Sequence, residues 1–170
     1  MIEAEFPQLK TQFTGVKGYL EAVDQMMRPH REKSHPDWKF LSMEGLILHY
    51  GRPYTWAPKP KGVRFGKVKE CFANASRMII GSDRFNVVEG YAAGMIPTMH
   101  AWLTEDGEHA VEVTWRKEQN PHEYYGIAFD STYVKTTMLK TGYWGVFGSD
   151  HRELLEGFLR DGIPDKALAY

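Results

Sequence analysis

The chain has one cysteine, Cys71, so no intrachain disulfide can form. That usage suits a reducing compartment. No stretch approaches the ~18 uninterrupted apolar residues of a membrane-spanning helix. The N-terminal MIEAEFPQLK carries two acids and no apolar run, which predicts no signal peptide. An excess of one charge is missing too: 21 Lys and Arg stand against 22 Asp and Glu, a net charge of −1. Nothing global pulls such a chain toward nucleic acid or a membrane. Internal repeats and low-complexity tracts are absent as well. These absences predict a soluble, cytoplasmic protein with no membrane association.

What is present is a core. Hydrophobic residues make up 42% and aromatics 14% of 170 residues. That argues against disorder and for one domain, 1–170, large enough to fold without a metal or disulfide staple. Seven histidines (His30, His35, His49, His100, His109, His122, His151) and one cysteine show no tight ligand spacing. The expectation is therefore no metal and no cofactor.

Periodicity divides the chain. A helical N-terminal part over 14–50 starts with TGVKGYLEAVDQMMR, where Val16, Tyr19, Leu20, Val23 and Met27 recur at helical spacing. Thr14 would cap that helix and Pro29 would close it. SHPDWKFLSMEGLILHYG predicts a second helix over about 36–49, with Pro36 in its first turn and Gly51 at its end. Residues 51–69, GRPYTWAPKPKGVRFGKVK, read as a long basic Pro/Gly loop. Arg52, Lys59, Lys61, Arg64, Lys67 and Lys69 occur there with no acid, interleaved with Tyr54, Trp56 and Phe65. Long loops of this kind are either solvated surface or binding loops. As a binding loop, Trp56, Lys59, Lys61 and Arg64 are its candidate substrate-contacting residues.

A core over 70–148 follows. It is predicted as a helix from Glu70 to about Ile80, a strand in RFNVVEGYAA, a hairpin in PTMHAWLTEDGEHAVEVTW, a strand in EYYGIAF, a helix from Asp130 or Ser131 to Gly142, and a strand in YWGVF. SDHRELLEGFLRDGIP predicts a closing helix over 149–162, with Ser149 or Asp150 near a capping box. Helices first, a mostly antiparallel sheet, then further helices make an α+β protein.

The hairpin determines where His100 points. A three-residue loop ending in a left-handed glycine makes Glu105-Asp106-Gly107 the turn. Thr104 then faces Glu108, Trp102 faces Ala110 and His100 faces Glu112. Ala101, Leu103, Val111 and Val113 share the opposite, apolar face. A carboxylate beside an imidazole fixes its tautomer and stabilises the imidazolium. Cys71, in the first turn of a helix and downstream of Lys67 and Lys69, sits where a thiolate is favoured. Cys71 is thus either a small hydrophobe of the core or the nucleophile of a Cys-His-Glu constellation.

C-x-x-N-A opening a helix, then H-A-W, then an acid on the following strand, resembles the transglutaminase-like branch of the papain-like cysteine peptidase superfamily. More closely, ECFANA…VEGYA…IPTMHAW…VEVTW…YYGIAF looks like small phage and bacterial proteins of that kind. The resemblance covers about residues 65–147. It implies a papain-like, transglutaminase-like core with Cys71 as nucleophile, His100 as base and Glu112 as orienting acid, where Asp is the usual residue. Asn74, one turn after Cys71, would either donate to an oxyanion or brace the strand carrying Trp102. Trp102 would wall the site or pack.

The function so implied is a cysteine hydrolase or acyltransferase acting on a peptide, isopeptide or thioester bond, with a protein or peptide as substrate. Two other readings stand beside it: an inert binding or host-interaction protein on the same fold, and a nucleic-acid-associated protein using the basic loop.

Overall fold

A computed structural model describes residues 14–94, 96–116, 123–148 and 151–170. The chain runs α1 (Gly15–Ser34), α2 (Met43–Tyr50), β1 (Arg52–Ala57), α3 (Cys71–Ile79), β2 (Asn86–Ala93), β3 (Pro97–Thr104), β4 (His109–Val111), β5 (Glu123–Phe129), α4 (Ser131–Thr141) and α5 (Arg152–Asp161), then a 3₁₀ turn, Asp165–Ala167. It is an α+β protein. Its sheet closes on itself in the order β1-β4-β3-β2-β5, with β1 returning to β5. All pairings are antiparallel except β1 with β4.

Closure gives the sheet two buried faces. The inner one is small: Tyr54, Val88, Ala92, Trp102, Ala110, Tyr124 and Ala128. Trp102 fills it and is fully buried. Gly126 makes room for that ring, since a Cβ there would lie 2.8 Å from Trp102 Cη2. The outer face is larger. Val87, Ala101, Leu103, Val111 and Ile127 meet Val16 and Leu20 of α1, Leu46 and Ile47 of α2, Ala75 and Ile79 of α3, and Phe158 of α5. Removing a side chain the size of Trp102 from such packing costs about 3–5 kcal/mol.

Several elements differ from expectation. Pro29 lies inside α1 and does not end it. A proline removes one intrahelical donor, and on this exposed side the remaining bonds carry the helix to Ser34. The start of α1 is capped from afar: Thr14 makes no side-chain cap, and Glu123 Oε2 accepts from Val16 N–H at 2.8 Å. The second helix starts seven residues later than Pro36. Ser42 is its N-cap, accepting from Gly45 N–H at 2.9 Å while donating to the buried Asp24 carboxylate at 2.6 Å. The first third of the expected basic loop is strand β1, whose partners β4 and β5 are more than fifty residues away. YWGVF is a run of bends, not a strand. By contrast, α4 has the expected limits, with Asp130 Oδ1 accepting from Tyr133 N–H and left-handed Gly142 ending it. In α5 the N-cap is His151; the Ser149/Asp150 cap lies outside the described residues.

The hairpin register is shifted. Leu103 pairs with Val111, so the strands sit two residues from the expected alignment. The cause is the turn: Asp106 Oδ1 accepts from both Glu108 and His109 N–H at 2.9 Å, holding 105–108 out of the ladder. A slip of two preserves the faces of a strand. Ala101, Leu103, Val111 and Val113 all lie in the outer core as anticipated.

Candidate active site

Cys71 is the first residue of α3, and His100 is on β3, paired with Gly90. Glu112 follows the end of β4. The two-residue shift takes Glu112 away from the position opposite His100, yet the side chains still meet. Glu112 Oε2 and Oε1 lie 3.0 and 3.2 Å from His100 Nε2. Both residues are almost wholly buried. An ionised carboxylate only accepts hydrogen bonds, so Nε2 carries a proton and Nδ1 is left for other partners. Cys71 is half-buried and close enough to His100 to act on the ring and raise its pKa. With Nε2 occupied by Glu112, Nδ1 is the ring nitrogen open to a thiol.

The acid is held more tightly than a single ion pair would hold it. Glu112 Oε1 accepts from the backbone N–H of Val113, Thr114 and Trp115 at 3.0, 2.8 and 3.1 Å. Oε2 accepts from Tyr124 O–H at 3.2 Å. These bonds fix the carboxylate in a turn. Burial works to raise the Glu112 pKa, but the His100 hydrogen bond, the His100 charge and the backbone donors prevail and lower it. For His100, burial disfavours the charged ring; hydrogen bonds to Cys71 and Glu112 and the negative charge of Glu112 outweigh it, raising the pKa to about 9.

Trp115 stacks on His100 with centroids 3.7 Å apart and planes 5° from parallel. It covers the imidazole and excludes water from it. Trp102 is 6.2 Å away at 22°, but inside the barrel. It supports the ring from within and does not wall an opening. Neither Trp115 nor Tyr124 was singled out from the sequence. Trp115 stands in the VEVTW motif, which was the available signal; Tyr124 alternates inward on β5 but nothing local ties it to Glu112.

Asn74 braces. Its two amide N–H groups go to Lys67 O at 2.8 Å and Thr114 Oγ1 at 2.9 Å, which ties α3 to the loop before it and to the turn holding Glu112. Both donors are thereby committed. The backbone donors are not: Asn74 N–H is the first of the helix to bond back, to Glu70 O, and Glu70 provides no side-chain cap. The N–H groups of Cys71, Phe72 and Ala73 thus precede the intrahelical ladder.

The expected loop residues separate. Lys59 folds back onto Val63 O and over the Phe65 ring at 5.5 Å. Lys61 and Arg64 are exposed. Gly66 N–H bonds Val113 O at 2.8 Å, so the end of the loop runs beside the Glu112 turn. Trp56 is 40% exposed on β1, paired with Ala110. Among the described residues, no hydrogen bond or ring contact joins Trp56, Lys61 or Arg64 to Cys71, His100 or Glu112. No group of His, Cys, Asp or Glu among the described residues is arranged to hold a metal ion. No described helix is long and apolar enough to cross a membrane.

The fold and site thus define an α+β protein with a closed five-stranded sheet and a buried His-Glu pair near a half-buried cysteine. No protein-family model, curated protein or solved structure matches the chain.

Proposed function

We propose that this protein is a thiol-dependent acyl-transfer enzyme of the transglutaminase-like, papain-like kind, with Cys71 as nucleophile, His100 as base and Glu112 as orienting acid. One observation supports the reading: buried His100 has its Nε2 on Glu112, a carboxylate held by three backbone N–H groups and the Tyr124 hydroxyl, which leaves Nδ1 for the neighbouring Cys71 thiol.

The chemistry follows from that arrangement. The thiol proton resides on His100 Nδ1 as a thiolate–imidazolium pair, which Glu112 stabilises and the raised His100 pKa favours. The sulfur attacks a carbonyl carbon of an amide or thioester, and the carbonyl π pair moves to oxygen. N–H groups at the start of α3 stabilise that oxyanion. Collapse expels the amine or thiol, which takes the proton from Nδ1 and leaves an acyl-thioester on Cys71. Water or an amine then attacks the thioester, with His100 again accepting the proton, and the thiol is restored.

The test is alkylation by iodoacetamide. Cys71 is expected to react at pH 6–7 in the folded protein, and His100→Ala is expected to slow it at least tenfold. A Cys71 that reacts only on unfolding, or a rate indifferent to His100→Ala, would overturn the reading.

A further inference from the structure

The segment that leads into Cys71 is as basic as any in the chain, and its backbone is tied to the elements that carry the site. Between Arg52 and Lys69 there are six cations and no acid. The loop is fixed by the buried Val63, by Gly66 N–H on Val113 O and by Asn74 Nδ2 on Lys67 O. The last two anchors are the turn that holds Glu112 and the helix that starts with Cys71, so the backbone carrying Arg64, Lys67 and Lys69 is tied to the elements of the site. Glu70, the acid just before Cys71, is already paired, with Lys67 at 3.7 Å and Arg77 at 3.2 Å. Lys61, Arg64 and Lys69 are exposed and form no ion pair with any described residue. Arg116, next to Trp115, adds a cation from the other side of the loop, 5.7 Å from the Phe65 centroid. The chain as a whole is almost neutral, so this concentration of positive charge is local.

We infer that the acyl donor is an acidic peptide segment, with Asp or Glu side chains flanking the carbonyl that Cys71 attacks. This rests on the thiol-enzyme reading. Charge complementarity would bind and steer such a segment. A peptide suits the surface better than a nucleic acid for two reasons. A thiol nucleophile needs an acyl carbonyl, which a peptide carries at every residue. Phe65, the aromatic of this segment nearest the cations, is engaged by Lys59 and Arg116 and is not a free platform for a base.

The experiment measures binding without turnover. Cys71→Ser protein is titrated, by fluorescence anisotropy, into three labelled 12-residue peptides. Each has a central glutamine, flanked by glutamates, serines or lysines. A 12-nucleotide oligo-dT is the fourth probe. The glutamate peptide is expected to bind at least tenfold more tightly than the serine peptide, and to lose most of that advantage between 50 and 300 mM salt. Arg64→Glu with Lys69→Glu is expected to erase the preference; Arg116→Glu, on a separate segment, serves as the second variant if the pair misfolds. Equal binding of the glutamate and serine peptides would overturn the inference, as would indifference to salt and charge reversal. Tighter binding of oligo-dT than of any peptide would overturn it in favour of nucleic acid. Alkylation of wild-type Cys71 is read separately. An inert thiol with an intact glutamate preference would sink the enzyme and leave an acidic-peptide surface.

Discussion

Two buried carboxylates flank the sheet and receive the same kind of help, yet they titrate in opposite directions. Glu112 takes three N–H groups from its own turn, and its pKa is lowered. Glu89, on β2 and facing the outer core, takes N–H groups of Val146, Phe147 and Gly148 from the loop after α4. Burial dominates there, and the pKa rises to about 7. The difference is the cation. Glu112 has His100 at 3.0 Å; among the described residues, backbone amides hydrogen-bond the Glu89 carboxylate. Aligned amides lessen the cost of a buried charge, but a counter-ion reverses it. Glu112 is accordingly suited to staying charged and supporting an imidazolium. Glu89 serves as a clamp for residues 146–148; Gly145 beside it must stay small, since a Cβ there would lie 2.5 Å from Glu89 Oε1.

The largest expected effect comes from breaking the paired site. Glu112→Ala leaves His100 buried without its counter-ion and three N–H groups without an acceptor, and should destabilise the fold by about 3–5 kcal/mol. Urea denaturation monitored by tryptophan fluorescence measures this. A loss under 1 kcal/mol would mean that the pair is not held as described.

The next prediction separates the two carboxylates by pH. The folded pKa of His100 lies above its unfolded value, so its contribution is complete below pH ~6.5 and is lost as pH rises through about 9. A shift of that size corresponds to roughly 3 kcal/mol. Glu89 is an acid with a raised pKa, so the native state holds its proton longer than the unfolded chain. Stability therefore falls as pH rises from ~4.5 to about 7, again by roughly 3 kcal/mol. Wild-type stability should decline across both windows. Glu89→Gln should flatten the lower window and His100→Ala the upper. Glu112 acts the other way: its pKa is lowered, so its share is lost only in acid, as pH falls through the folded value. If Glu89→Gln flattened the upper window instead, the assignment of the two groups would be reversed.

The smallest effect belongs to Tyr124→Phe. It deletes one hydrogen bond to Glu112, worth about 1 kcal/mol, and leaves the carboxylate and His100 in place. NMR titration of the His100 ring should show a pKa displaced by less than one unit, whereas Glu112→Gln should bring it down by more. Equal displacement by both would show that the hydroxyl, and not the charge, governs the imidazole.

What was legible in the sequence was what is local or periodic. Helix α4 between Asp130 and Gly142 and the apolar face of Ala101, Leu103, Val111 and Val113 follow from capping, glycine conformation and period-two alternation, and α3 begins one residue after its expected start at Glu70. The contact of His100 with Glu112 was anticipated through a register that is wrong by two residues, and survives because the Glu side chain leans back from beyond the strand end. Where partners are remote, the sequence is silent. RPYTWA holds prolines and glycines around it and no strict alternation, so only the arrival of β4 and β5 makes it a strand. YWGVF has strand-forming residues, but its amides are taken by Glu89, 57 residues earlier, and no ladder forms. Closure of the sheet into a barrel, the stacking of Trp115 on His100 and the Tyr124 bond to Glu112 are likewise decided in three dimensions. Capping and alternation act within a few residues and are written in order along the chain; the charge state of a buried group depends on whichever side chains and amides the packed fold brings within hydrogen-bonding distance.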